Sequence, residues 1–519
     1  MPRGVTSAAR AAAILLAVAG IVAPASHITA APFVQSGPVI DVPPGGNLQQ
    51  ALNAAVPGTT IRLAAGATYV GPFTLPAKNG SDYITVTSAT ASLPPAGTRI
   101  GPNHKPYLAT IRSSTTISAI TTAAGASYYR FVGVAFAANQ NGAGDIITLG
   151  GAAATTVAQL PHHIELDRVL IQGDPVVGQK RGVSVNAANV TIVNSYISDI
   201  MAVGQDSQAI CGWNTPGPIV IRNNYLEAAG ENIMFGGAGV SIPGVVPSDI
   251  LVEDNVLTKD LAWRSSSWTV KNLFELKHGR RIVVRRNAMI NNWAAAQQGF
   301  AIVFTPRNSG GTTSWVIEDI EFSGNVVAHS SSVFNLLGRD DLAPSGQLSR
   351  VLIKNNLFYD IGTIWGGTGT FAQIGGGPSA VAIDHNTVLH DGNIITFYGE
   401  PIVGLTVTNN LFKHNAYGIF GTNQAYGNGS LAYYAPGAIV QGNVFASDAS
   451  VASRYPAGNL FPSVASFLAS FVNPSANDYG LSTTSPYRGA GTDGADLGAN
   501  FALLPTIVAP RPPTGMRIR

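Results

Sequence analysis

A short pattern recurs along the chain: apolar residues at every second place, then a small polar residue or Asn, then further apolar positions. It reads VTIVNSYI at 190–197, IVIRNNYL at 219–226, ILVEDNVL at 250–257 and IVVRRNAM at 282–289. It continues as IEFSGNVV (320–327), VLIKNNLF (351–358), VAIDHNTV (381–388), LTVTNNLF (405–412) and AIVQGNVF (438–445). Two earlier phrases, YRFVGVAF (129–136) and IELDRVLI (164–171), keep the alternation without the Asn. The sixth place falls at Val134, Val169, Ser195, Asn224, Asn255, Asn287, Asn325, Asn356, Asn386, Asn410 and Asn443, spaced 24 to 38 residues apart and about 31 on average. Eight of the eleven are Asn, so the phrase marks a repeating structural unit.

Alternation with a period of two predicts strands with one face turned inward. A unit this small cannot bury its own apolar face, so each coil must stack on the next. The expected fold is therefore all-β: a right-handed parallel β-helix of about twelve coils. The helical periodicity of a leucine-rich solenoid is missing. Stacked parallel strands lie about 4.8 Å apart, close enough for an Asn at the same turn in successive coils to form an amide ladder. Asn also tolerates the left-handed backbone that a sharp corner requires. Unequal intervals place one loop of variable length in each coil, and such loops commonly build a binding groove.

An open rod exposes strand edges and needs caps. In GGNLQQALNAAVPGTTIRLAAGATYVG (45–71), Asn47 is placed to cap a short helix whose Leu48, Ala51, Leu52 and Ala55 share a face. The expected organisation is a β-helix over 38–450, a C-terminal cap over 451–500 in which 478–500 covers the last coil, and a Pro/Arg-rich, disordered tail over 501–519. Residues 1–30 have the order of a secretory signal peptide: Arg3 and Arg10, an apolar run from Ala11 to Val22, then small residues. Cleavage is expected between residues 25 and 31, giving a secreted or surface protein. The apolar run is too short to span a bilayer, so no membrane insertion is expected after its removal.

Composition narrows the picture. Charged residues are 11% and hydrophobic residues 45%, with 58 Gly and 32 Pro, which suits a turn-rich β chain rather than a helical bundle. A formal net charge of +2 gives no field for nucleic acid. The single cysteine, Cys211, excludes an internal disulfide and is expected to be a core thiol. A monomer is expected.

The capping helix with its PGTTIRL turn, the Asn-bearing coils and the SPYRGAGTDGADLGAN ending resemble the pectin-lyase-like superfamily over roughly residues 40 to 500. The resemblance implies the fold. It leaves the activity open, because that superfamily holds lyases, hydrolases, epimerases, tailspikes and adhesins.

A second strand series follows the first: SQAICGW (207–213), ENIMFGG (231–237), NLFELKHG (272–279), FAIVFTPRN (300–308), VFNLLGRDD (333–341) and FAQIGGG (371–377). Its alternation points Asp206, Glu231, Glu275, Lys277, Arg307, Arg339 and Asp340 outward from adjacent coils. Five of the six tryptophans lie between 213 and 315, among them Trp263, Trp268 and Trp293. Charges and aromatic faces along a groove suit a polysaccharide, with Trp263, Trp268, Trp293 and Asp340 as its contacts.

β-Elimination on a uronic acid needs a base and a cation beside the carboxylate. Lys277 is the candidate base, with Arg307 or Arg339 as the cation. Asp206, Glu231 and Glu275 are candidate ligands for Ca²⁺, an ion bound by oxygens. Glu275-Leu276-Lys277 is similar to the Glu and Lys arrangement of β-helix alginate lyases. Hydrolysis would need two facing carboxylates, drawn from Glu231, Glu275, Asp340 and Asp341. The NTD, GHG and RIK motifs of polygalacturonases are absent. IDHNTVLHDG (383–392) resembles a pectate-lyase segment, but it lies in the repeat column and the arginine motif of those enzymes does not follow it. The leading expectation is a polysaccharide lyase acting on an acidic glycan. The other reading, from a different class, is a non-catalytic binding or surface scaffold, in which case these charges pair off.

Overall fold

A computed structural model describes residues 37–505 apart from 152 and 308–312. The signal segment expected over 1–30 and the tail beyond 505 lie outside the described residues. Three long sheets of 14, 13 and 12 strands run the length of the chain, and every neighbouring pair within them is parallel. One coil shows the path. Ala188–Val193 belongs to the first sheet, Tyr196–Ile200 to the second and Gln208–Gly212 to the third, after which Ile219–Arg222 returns to the first. The fold is a right-handed parallel β-helix. Among the described residues, no helix is long and apolar enough to cross a membrane.

The inward column of the first sheet is Val190, Ile219, Ile250, Ile282, Ile320, Val351, Val381 and Leu405, each paired with the next and buried. β-Branched residues dominate because they pack well on a pleated surface. Phe322, Phe334, Phe358 and Phe371 fill the core of the later coils with ring centroids 5.1 to 5.7 Å apart.

The repeated phrase straddles the corner between the first and second sheets, and its Asn residues form a ladder. Asn224, Asn255, Asn287, Asn325, Asn356, Asn386, Asn410 and Asn443 are all buried. Each Oδ1 accepts the backbone N–H of the residue below; Asn255, for example, accepts from Asn224 at 2.9 Å. Each Nδ2 donates to a carbonyl of the coil before, as Asn255 does to Ile221 at 2.8 Å. The ladder starts at Ser195 and runs one rung past the expected set, to Asn459 in a degenerate GNLF phrase. The left-handed backbone falls one place earlier than expected. Asn194, Asn223, Asp254, Arg286, Asn355, His385 and Asn409 have φ between 50° and 59°, and Gly133, Gly324 and Gly442 take the same corner in other coils. The fifth residue makes the turn, which frees the sixth to point its amide along the rod.

The N-terminal cap is the helix Leu48–Ala54, with Asn47 Oδ1 accepting from the Gln50 N–H at 2.9 Å and Leu48, Ala51 and Leu52 buried. At the other end the core is closed by the helix Asn428–Tyr434, whose Leu431 and Tyr434 enter the core. The 478–500 segment packs along the outer side of the second sheet, on Val444 and Ala446 of the last coil and on earlier coils. Phe467, Phe471, Tyr479, Tyr487 and Leu497 pack on Val326, Leu357, Leu389 and Leu411 on the outer side of the second sheet. The chain then runs back toward earlier coils, with Gly498 bonded to Asn409, Ala499 to Thr387 and Asn500 to Asn355. That outer face is apolar in these coils, and the fold-back removes it from water.

Candidate functional site

The outer face of the third sheet gathers the charges. Ile210, Ile233, Phe274, Ile302 and Phe334 form its inward column in register. The residues following them, Cys211, Met234, Glu275, Val303 and Asn335, form the outward one. At the start of the strands a second register row holds Asp145, Arg181, Gln208 and Glu231.

This row is wired as a chain. Arg181 lies 3.3 Å from Asp145 and donates to Gln208 Oε1 at 2.6 Å. Gln208 Nε2 donates to Glu231 Oε2 at 2.8 Å. Lys271 Nζ then stands 3.4 Å from Glu231 Oε1 and 2.5 Å from Asp206 Oδ1. Beside it Glu275 Oε1 is 3.5 Å from Lys277 Nζ, and Asn272 donates to Glu275 Oε2 at 3.2 Å. Glu231 is 0% and Glu275 2% exposed, although both are carboxyl side chains on the outer side of a sheet. Burial, with the Glu275 and Asp206 carboxylates nearby, pushes Glu231 well above the ordinary carboxylate range. Burial opposes the charge on Lys271, but Glu231 and Asp206 outweigh it and hold the ammonium above its ordinary value.

Behind this row lies Lys259, fully buried. Its Nζ donates to the carbonyls of Ala228, Ala229, Gly230 and Asn272 at 2.7 to 3.0 Å and reaches Asn232 Oδ1 at 3.4 Å. Gly230 and Asn272 adjoin Glu231 and Lys271, so one ammonium ties together the backbones that carry the two site residues. Burial pulls Lys259 down to about 7.

The expected residues fare differently. Lys277 and Glu275 come together. Asp206 and Glu231 also come together, but around Lys271. Among the described residues, no three carboxylate, histidine or cysteine side chains are grouped to hold a metal ion. The expected Ca²⁺ set of Asp206, Glu231 and Glu275 therefore does not fit the ion, because an ammonium sits between its members. Arg307 and Arg339 occupy equivalent places in successive coils, since Phe304 pairs with Leu336. Arg307 is engaged by Asp340 at 2.8 Å and by Asp341. Arg339 is exposed and pairs with no carboxylate among the described residues. Asp340, expected on the glycan, instead accepts from Arg307 and from the Leu342 N–H and organises its own loop.

The tryptophans are the clearest correction. Trp263 at 7% and Trp293 at 5% exposure pack with Trp365, Met201, Ala229 and Val270, with Trp268 half-buried at the edge. Trp263 and Trp293 fill the core of the loops joining the second and third sheets, while Trp268 is only partly buried. Cys211 is buried and its thiol pushed up to about 12 by that burial, which leaves it inert. In the IDHN segment, Asp384 accepts from Thr408 and Asn409 and meets Lys354 and His385, a structural knot in the repeat column. Sequence reasoning missed Lys271, Lys259, Gln208 and Arg181. Gln208 and Arg181 share Glu231's register and were open to strand alignment; the two lysines sit in loops that carry no period.

No family model matches the chain, and no curated protein matches it in sequence. Its coordinates do match solved β-helices. A mannuronic-acid-specific family 6 polysaccharide lyase from human gut microbiota superposes with a TM-score of 0.54 at 13% identity, over 82% of this chain and 92% of that one. The two share the right-handed parallel β-helix fold. A mutant of a family 6 alginate lyase gives 0.49 at 14% identity over 91% of this chain, which spans 59% of that enzyme's length. A surface adhesin of Streptococcus pneumoniae gives 0.40 at 11% identity, over 71% of this chain and 88% of that one.

Proposed function

We propose that this pectin-lyase-like rod is a secreted enzyme that cleaves an acidic polysaccharide by β-elimination on the outer face of its third sheet. The observation that carries the reading is the burial of Glu231 and Glu275 beside Lys271 and Lys277 on a face where charges ordinarily stay in water. Charges held at that cost are commonly found where chemistry needs them. The lyases among the β-helices of similar architecture make an acidic glycan the first substrate class to test.

In this reading Lys277 is the base that takes the proton from the carbon beside the uronate carboxylate. The electron pair forms the double bond, the C4–O bond breaks, and the proton passes to the departing sugar oxygen. Arg339, which has no carboxylate partner among the described residues, is the cation for the substrate's carboxylate. Arg307 is already held by Asp340 and Asp341.

A rise in absorbance near 235 nm over a panel of acidic polysaccharides, reporting the unsaturated uronate, is the test. Lys277→Ala should lower that rate by about 10²–10⁴-fold. One observation favours the second reading, a non-catalytic glycan-binding scaffold: the run from Asp145 through Arg181, Gln208, Glu231 and Lys271 to Asp206 leaves little charge unpaired. Retention on an acidic-glycan column with no absorbance change and no new reducing ends would establish that reading instead.

A further inference from the structure

The outward column through Glu275 is covered on one side and opens on the other. Toward the N-terminal coils it continues as Met234, Cys211 and Ser184, all buried. Loops leaving that end of the sheet are tied together: Asn214 Nδ2 donates to Ser241 Oγ at 2.7 Å, and Ser241 Oγ to Ala154 O at 2.6 Å. Toward the C-terminal coils it passes from buried Val303 to Asn335, Gln373, Thr396 and Phe420, which are half-buried. Two places on, a second outward row runs from Lys277 past Thr305, Leu337 and Gly375 to Tyr398. A Cβ built on Gly375 would fall 2.2 to 2.5 Å from Cζ, Cε1 and Cε2 of Tyr398. The distances are nearly equal, so the ring turns one face to Gly375, and only the missing side chain admits it there. Gln373 stands beside the Tyr398 hydroxyl, and its Nε2 reaches Asn335 Oδ1 at 3.4 Å.

We infer that a bound acidic glycan runs from Lys277 toward the C-terminal coils alone, and that Tyr398 stacks one of its sugar rings. The inference rests on the glycan reading of this face and adds the direction of the chain and a second point of contact. Tyr398 stays half-buried, and with one face against Gly375 its exposed part is the opposite face. The C–H-rich face of a pyranose fits the negative face of such a ring. Asn335 and Gln373 supply amide donors and acceptors for hydroxyls along the way. Gly375 is three coils from Lys277, about 14 Å at about 4.8 Å per coil. The stacked ring is therefore not the one that reacts; its contact holds the reacting ring in register with the base.

The test is electrophoresis of the full chain through gels cast with polymannuronate, polygalacturonate or hyaluronan, which reads binding without turnover. At least one of these should retard the native chain. On that glycan Tyr398→Ala should weaken binding about three- to tenfold, and Tyr398→Phe should bind within about twofold of the native chain. Gly375→Ala should weaken it like Tyr398→Ala, by lifting the ring; if that variant does not fold, the two Tyr398 variants still decide. Competing free oligomers should feel the Tyr398→Ala substitution only when long enough to span about 14 Å. A folded Tyr398→Ala chain that binds as the native one does would overturn the inference. So would a loss that is equal for short and long oligomers, or no retardation in any of the three gels. Tyr398-dependent binding with no unsaturated uronate formed from any glycan would count against the elimination alone. Elimination with binding indifferent to Tyr398 would count against the stacking alone.

Discussion

On the outer face of the first sheet, Arg281 meets Asp249 at 2.7 Å with the two side chains 34% and 48% exposed. On the outer face of the third sheet, Glu231 meets Lys271 with its carboxylate wholly removed from water. Both faces carry charge on outward positions of stacked strands, and both pair it between coils. They differ in what lies above them. Little covers the Arg281–Asp249 pair, so water screens it and it is worth little. Loops fold over the third-sheet row, and Lys259 seals it from behind, so each group there depends on its partner. Loop cover, rather than outward position, therefore decides which charges depend on their partners.

Replacing Lys259 should break the comparison hardest. Lys259→Met withdraws the shared donor from four carbonyls and is expected to cost about 3–5 kcal/mol in urea unfolding, with the site's geometry lost as well. A result within about 1 kcal/mol of the wild type would mean that the cage does not hold the site. Asn325→Ala tests the ladder, which is neutral but equally buried. It leaves the Asn287 N–H and the Val284 carbonyl unmatched and should cost about 2–3 kcal/mol.

The pH dependence sharpens the contrast further. Glu231 has a raised folded pKa, so the fold favours its protonated form. That contribution is present at acid pH and is lost as pH rises from the ordinary value of 4.5 toward neutrality. Glu231→Gln should therefore flatten the stability profile over that window, and an unchanged slope in chemical denaturation would contradict it. The smallest effect belongs to the open face: Arg281→Ala should change stability by less than about 1 kcal/mol and lose even that in high salt.

The Asn phrase was legible because a ladder needs the same side chain at the same turn of every coil, and that demand is written into the chain at intervals near 31 residues. The capping helix was legible for a similar local reason, since Asn47 acts within its own first turn. Glu275 and Lys277 could be read as neighbours because they lie two places apart on one strand. The tryptophans misled. Clustering in sequence and clustering on an open surface look alike until the loops are folded, and Trp263 and Trp293 turned out to be the core of those loops. Lys271 could not be found at all. It precedes its strand in an aperiodic loop, and only the closure of that loop over the preceding coil sets its ammonium between Asp206 and Glu231.

What this sequence determined by itself is the rod: strand, corner and stacking follow from a local period and from contacts between one coil and the next. What only the tertiary structure decided is which of the outward charges keep their water. That depends on loops of unequal length that no period constrains, and burial, rather than sequence position, sets the cost and the chemistry of a charged group.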